Sequence, residues 1–518
     1  MAHSFARRVL GVSAFAAILA AQAARAQVYS TTPDWTSLDM QVSTGAALVD
    51  LNRDGWLDLV VSNGNDISLQ RVVVYYNDAT GQLERSPSWQ SANTAYNGHL
   101  DVADVNADGW PDVAVGILLA QGGTSARLYM NNNGVLNTTA AWSAPVSGDT
   151  FGVSFGDMNA DGRPDLAVAS GEAYNNVPKR NCVYLNVGGA LSTTVSWETA
   201  TTKNFNTCIW LDRDRDGRLD LCYNGSNTDT FVYRNLGTTL ETTATWRTND
   251  IRNQFCLMAT TGDVTGDGLR ELILADNNQL FAGSGRFRQY NGLAAGNYNT
   301  TANWTYLDGY TAAVFLGDIN NDNKLDLCTG EWFGRSRYFL NNGTGFPAGS
   351  TWQSAGTSTV ERIYLGDVDN KSRRVRVAEF AGSAKLVHLP TQPVESVMKV
   401  VVDGVTLPRS QWCASREFGW VSVGVTPVSS VRVVYVTSAS LDMAISNWDD
   451  NRPNQLYFNK TTPPCAADIN ADGFVNGDDF DAFAEAFDAG DETADFNIDG
   501  FVNADDYDAF AEPFEAGC

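Results

Sequence analysis

Histidine is almost missing from this chain, with three residues in 518. Beyond the N-terminal segment only His99 and His388 remain, and neither lies beside a Cys or Ser constellation, so imidazole-based catalysis has little to draw on. Basic residues are scarce too. There are 35 Lys and Arg against 60 Asp and Glu, a formal net charge of −25. Binding to a phosphate backbone needs a basic surface, so nucleic acid is excluded as a partner. No segment beyond the N-terminus approaches membrane-spanning length. No H-E-x-x-H, phosphate loop or dinucleotide fingerprint occurs. Gly152-Val153-Ser154-Phe155-Gly156 matches G-x-S-x-G, but it leads into an acidic turn, whereas a nucleophile elbow must lead into a helix. Helical periodicity is absent until about residue 479.

Residues 1–26 read as a secretory signal. Arg7 and Arg8 form the basic start, Val9 to Ala24 is an apolar and small-residue run, and Ala24-Arg25-Ala26 fits a cleavage site that leaves Gln27 first. The alternative is an N-terminal membrane anchor. The reading predicts a secreted or cell-surface protein with no membrane span after signal removal. Eight cysteines suit an oxidising compartment. Cys465 and Cys518 bracket the last 54 residues and could staple them. The other six allow fifteen pairings, or are buried thiols.

What the chain has in abundance is one acidic turn, D-x-[ND]-x-D-G-x-x-D, returning every 49 to 55 residues. Side chains at positions 1, 3, 5 and 9, with the backbone carbonyl of position 7, can converge on one hard cation. The first cage is Asp50, Asn52, Asp54, the Trp56 carbonyl and Asp58. The second is Asp104, Asn106, Asp108, Trp110 and Asp112. The third is Asp157, Asn159, Asp161, Arg163 and Asp165. The fourth is Asp212, Asp214, Asp216, Arg218 and Asp220. The fifth, with the weakest donors, is Asp263, Thr265, Asp267, Leu269 and Glu271. The sixth is Asp318, Asn320, Asp322, Lys324 and Asp326. A seventh copy starting at Asp367 is decayed, because Lys371 stands where the third acid belongs. Its ammonium could substitute for a missing cation. Sulfur and imidazole are absent from the cages, which disfavours zinc and copper, and the number of oxygens favours Ca²⁺ over Mg²⁺.

Each cage is embedded in short β-type runs separated by Gly, Asn and Asp turns. In the first unit these are Val42 to Val49, Leu57 to Val61, Val72 to Tyr76 and a run around Trp89. Four strands per unit of this length predict an all-β propeller. Trp35, Trp89, Trp142, Trp197, Trp246, Trp304 and Trp352 recur once per unit and read as packing between blades. Trp35 precedes the first cage, so its strand is expected to complete the last blade and close the ring. The segments 441–447 and 455–459 read as strands of an eighth unit. The expectation is therefore eight four-stranded blades, with seven blades and an inserted β-subdomain near 391–436 as the alternative.

The repeats resemble the FG-GAP or VCBS-type unit of integrin-α-like propellers over about residues 34–459. The Gly-Asp junction is kept at Phe155-Gly156-Asp157 and Leu316-Gly317-Asp318 and lost at Leu48-Val49-Asp50. That resemblance implies calcium-bearing blades in an extracellular binding or adhesion protein.

After a stiff linker, Lys460 to Pro464, the grammar changes. Two 12-residue loops follow. One would bind through Asp468, Asn470, Asp472, the Phe474 carbonyl, Asn476 and Asp479. The other would use Asp495, Asn497, Asp499, Phe501, Asn503 and Asp506. Each feeds a short helix, Asp479 to Phe487 and Asp506 to Phe514, with aromatics on one face that read as a shared core. Residues 465–518 resemble a type I dockerin, a small α-helical EF-hand-like module that docks to a cohesin. They depart from it at Gly477-Asp478 and Ala504-Asp505, and a generic EF-hand pair is the alternative. About six calcium ions are expected in the propeller and two in this module. The expected partners are a carbohydrate or protein on the propeller and a cohesin-like or cell-surface protein at the C-terminus. The alternative in another class is a polysaccharide lyase or glycoside hydrolase carrying the same tag.

Overall fold

The computed structural model describes residues 27–119, 121–250, 254–281, 284–449, 451–470 and 472–517. The proposed signal, residues 1–26, and Cys518 lie outside them. Among the described residues no helix is long and apolar enough to cross a membrane.

Each acidic turn joins two antiparallel strands, and a third and fourth strand extend the sheet outward. In blade 1 these are Ser43–Val49, Asp58–Asn63, Val72–Tyr75 and Trp89–Gln90. The first strands of the next five blades are Asn97–Ala103, Thr150–Gly156, Phe205–Leu211, Gln254–Gly262 and Tyr310–Gly317. Every first strand packs against the first strand of the next blade, so these strands line a common axis. Thr150–Gly156, Phe205–Leu211 and Tyr310–Gly317 are buried along nearly their whole length, whereas Asn97–Ala103 carries His99 and Asp101 and is half-buried toward its end.

The seventh blade corrects the repeat count. Its first strand, Ser358–Gly366, pairs directly with Asp442–Asn447, with Gly366 opposite Asp442. The strands expected for separate seventh and eighth units therefore belong to one sheet, and the ring has seven blades. Gln455–Tyr457 is its third strand, and Trp35–Thr36 from the N-terminus is its fourth. The expected ring closure is present.

Between the first two strands of blade 7 lies an inserted β-subdomain whose strands run from Arg373 to Ser438, wider than the expected 391–436. One sheet contains Arg373–Ala381, Ser430–Ser438, Ser396–Val402 and Val405–Thr406. The other contains Leu386–His388, Trp420–Val423 and Trp412–Ser415. Val400, Val421, Val433 and Trp412 belong to its own apolar core.

The tryptophans pack between blades as expected. Trp35, Trp89, Trp142, Trp197 and Trp246 each meet a tyrosine of the following blade edge-on: Tyr75, Tyr129, Tyr184, Tyr233 and Tyr290. Trp304 meets Phe339, and Trp352 meets Tyr457. Six of the seven indoles also donate to a backbone carbonyl of that next blade, for example Trp89 Nε1 to Leu136 O at 2.7 Å.

At the C-terminus helix α1, Gly477–Ala489, and helix α2, Ala504–Ala516, each start two residues earlier than expected. Asn476 and Asn503 cap them, with Asp479 and Asp506 completing capping boxes. Phe483 and Phe510 stack at 4.0 Å in the shared core. Cys465 is disulfide-bonded. Cys182, Cys208, Cys222, Cys256, Cys328 and Cys413 are buried free thiols.

Candidate metal cages and binding faces

The acidic turns share one backbone. Position 4 is left-handed in each, at Arg53, Ala107, Ala160, Arg215, Gly266 and Asn321, and so is position 6, from Gly55 through Asn323. Two left-handed residues in six coil the chain around a point, which explains the glycine at position 6. Position 1 fixes the coil. Asp50 accepts the N–H groups of Asp54 at 3.1 Å and Gly55 at 3.0 Å, and Asp104, Asp157, Asp212, Asp263 and Asp318 repeat the pattern. Asp468 and Asp495 do the same in the C-terminal loops.

Position 9 is a buried anchor. Asp58 accepts from Leu51 N at 3.0 Å and Asn77 N at 2.9 Å. Asp112, Asp165 and Asp326 accept the equivalent pair. Burial raises Asp58, Asp112 and Asp220 to about 7 and Asp326 to about 8. Burial followed by repulsion between neighbouring acids raises Asp212 to about 6. In the fourth cage, carboxylate oxygens of Asp212, Asp214 and Asp216 lie within 4.8 Å of one another. Buried oxygens of Asp214, Asp216 and Asp220 there lack a hydrogen-bond partner. Clustered carboxylates with orphaned oxygens and no sulfur or imidazole make a donor set that fits Ca²⁺. The fifth cage departs: Thr265 leaves its hydroxyl unpartnered, and Glu271 accepts from both Val264 N and Thr265 N.

A second device was not recognised in the sequence. An asparagine after the third strand reaches back to the preceding blade through Nδ2. Asn131 donates to Leu51 O, Asn186 to Val105 O, Asn235 to Met158 O, Asn341 to Val264 O and Asn459 to Ile319 O, at 2.7 to 3.0 Å. Each acceptor is the position-2 carbonyl of a cage, so the cages and blade seams are one structure. The recurring Tyr-x-Asn or Phe-x-Asn after the third strand was the available signal.

The insert lies on the cage face. Arg409 pairs with Asp104 at 3.0 Å, Ser422 donates to Asp157 at 2.7 Å, and Lys385 donates to Ala160 O at 2.8 Å. Its Arg416–Glu417–Phe418 turn enters the axial channel, where Arg416 donates to Leu48 O at 2.9 Å and Glu417 pairs with Arg362. A cavity of about 570 Å³ remains between the 388–392 segment and blades 4 to 6.

Strand direction places the opposite ends of the blades on the other face. Ile67, Leu69, Leu119, Tyr174 and Phe333 are exposed there. Asp66, Glu172 and Glu361 lie near the Tyr174 phenol on this side, and full burial raises the Glu361 carboxyl well above the usual range. His99 lies 3.8 Å from Glu361, and burial followed by the Arg362 charge lowers it to about 3, so it stays neutral.

Residues 50–115 and 117–168 match the FG-GAP-like repeat model. Human integrin alpha-7 is 33% identical over 110 residues, covering 19% of this chain and 9% of that protein. The chain therefore spans less than a tenth of that relative. Two crystal structures of BBS1N in complex with ARL6DN, soaked with lead and with mercury, align with TM-scores of 0.45 and 0.44 at 10% and 11% identity. They cover 66% and 65% of this chain and 90% and 91% of theirs.

Proposed function

We propose that this is an extracellular, calcium-stabilised propeller that binds a protein or carbohydrate partner through the face opposite its cages, as an adhesion or assembly component. FG-GAP-like repeats and the integrin alpha-7 match support a binding role for an integrin-α-like propeller. The observation that carries the choice of face is the position of the insert. It covers the cage face and plugs the channel from that side. The other face keeps its apolar side chains exposed. Exposed apolar side chains gathered on one face mark an interaction surface.

The C-terminal module is proposed as a dockerin-like second attachment point for a cohesin-like or cell-surface protein, with two calcium ions in its loops. Its capped loop–helix halves and shared aromatic core support that reading. Phe474 and Phe501, at the same position of the two loops, are 72% and 71% exposed, which leaves aromatic side chains free for a partner.

The test is a glycan and surface-protein binding screen of the mature protein in calcium, repeated with the Tyr174→Ala/Phe333→Ala double variant. Loss of captured partner with an unchanged melting temperature is expected. Binding that survives the double variant overturns the assignment of the face. Turnover of a polysaccharide would favour the enzyme alternative.

A further inference from the structure

The decayed cage at Asp367 is split rather than lost. Asp367 accepts Lys371 N and Ser372 N at 3.0 Å each, as Asp50 accepts Asp54 N and Gly55 N. Asn370 is left-handed, as position 4 is in the intact cages. The chain then leaves into the insert at position 7 and returns at Leu441. Asp442 supplies position 9 from the far side, accepting Val368 N and Asn459 N at 2.8 Å each. These are the bonds that Asp58 makes in blade 1. One carboxylate oxygen from each of Asp367, Asp369 and Asp442 lies within 4.8 Å of the others, the same compactness as in the fourth cage.

Two donors of a metal cage are nevertheless gone. Position 5 is Lys371, and the position-7 carbonyl has been carried off into the insert. Ser438 now donates to Asp367 at 2.6 Å, and Ser372 bonds Ser438 at 2.8 Å, so hydroxyls stitch the base of the insert. The Lys371 ammonium contacts Asp369 and stands 5.6 Å from the centre of the Phe458 ring. Burial opposes its charge, yet Asp369, Asp442 and Asp367 together raise it above the ordinary lysine range.

We propose that the seventh cage carries its own cation and takes no metal ion: the Lys371 ammonium, held against Asp369 at the edge of the cage, supplies positive charge in place of one. The inference rests on the other six cages being calcium sites. A divalent ion would have to displace the tethered ammonium from Asp369, with neither a fourth acid nor the position-7 carbonyl to complete its shell. A fixed cation here has a consequence for the architecture. This cage joins the insert to the ring and lies at the seam between blades 7 and 1, so one positive charge is built into that junction without calcium.

Two measurements test it. The first is an anomalous difference map from crystals of the mature protein grown in calcium chloride. Peaks are expected in the intact cages and none between Asp367, Asp369 and Asp442. A peak there overturns the proposal while leaving the calcium reading intact, and an absence of peaks in every cage overturns both. The second is the calcium content of the dialysed Lys371→Asp variant. One additional ion per chain relative to the parent protein is expected, and no increase in a folded variant overturns the proposal.

Discussion

Asn77 of blade 1 donates its Nδ2 to the Val368 carbonyl of blade 7 at 2.9 Å, across 291 residues of sequence. It closes the series of asparagine clasps, because each of the others reaches to the blade before it. Between blades 4 and 5 the corresponding residue is Asn291. Its position-9 partner is Glu271, which accepts Gly292 N at 3.3 Å instead.

Asn186→Ala removes one clasp and leaves the buried Val105 carbonyl without that donor. An unmet buried acceptor costs about 1–3 kcal/mol. Chemical denaturation should show that loss, with Asn291→Ala losing clearly less. Equal losses at the two positions would contradict the clasp.

Trp35→Ala should be the most damaging single change on the outer rim. The indole packs on Tyr75 at 5.7 Å, donates to Leu83 O at 2.8 Å and sits on the strand that, with the Tyr29–Asn459 bridge, joins the N-terminal segment to blade 7. Truncating a buried Trp costs about 3–5 kcal/mol. Limited proteolysis should then release the N-terminal segment before any other part of the ring.

Removal of calcium should lower the melting temperature. A ligand bound to the folded state alone adds stability as its concentration rises above its Kd. Scanning calorimetry with chelator and then with millimolar calcium should show a reversible increase. In the fourth cage, Asp214→Asn removes one carboxylate donor and should shrink that increase. Identical scans in both conditions would end the calcium reading.

The C-terminal module is latched to the insert by charge. Glu492 bonds Lys399 and Arg432 at 2.7 Å each. Burial alone would raise its carboxyl, but the hydrogen bonds from Arg432 and Lys399 outweigh it and hold the group at about 2. A depressed carboxylate contributes stability above its unfolded value, near 4.3, and loses it as pH falls toward 2. Small-angle scattering should show a compact particle at neutral pH that extends as pH drops below about 4. Glu492→Gln should loosen the latch already at pH 7 and remove its sensitivity to salt. A compact Glu492→Gln protein at every salt concentration would rule out the latch.

Much of this molecule is legible in its residues because the information is local. The loop from Asp50 to Asp58 carries its donors and its turn glycine within nine positions, and Trp89 marks the outer strand by simple recurrence. The 12-residue loops that begin at Asp468 and Asp495 are equally short-range. These features depend on steric limits at single residues and on bonds spanning a few positions, so a linear reading finds them.

The blade count depended on long-range pairing. Asp442 lies 75 residues from Asp367, and only strand register shows that the two belong to one cage and one sheet. A sequence cut by an insertion reads as two half-units, because hydrogen bonds between strands leave no mark on spacing. The asparagine clasps, the plug by Arg416 and Glu417, and the separation of a covered from an open face were likewise settled by tertiary structure. Each joins groups whose proximity exists only once the ring has closed.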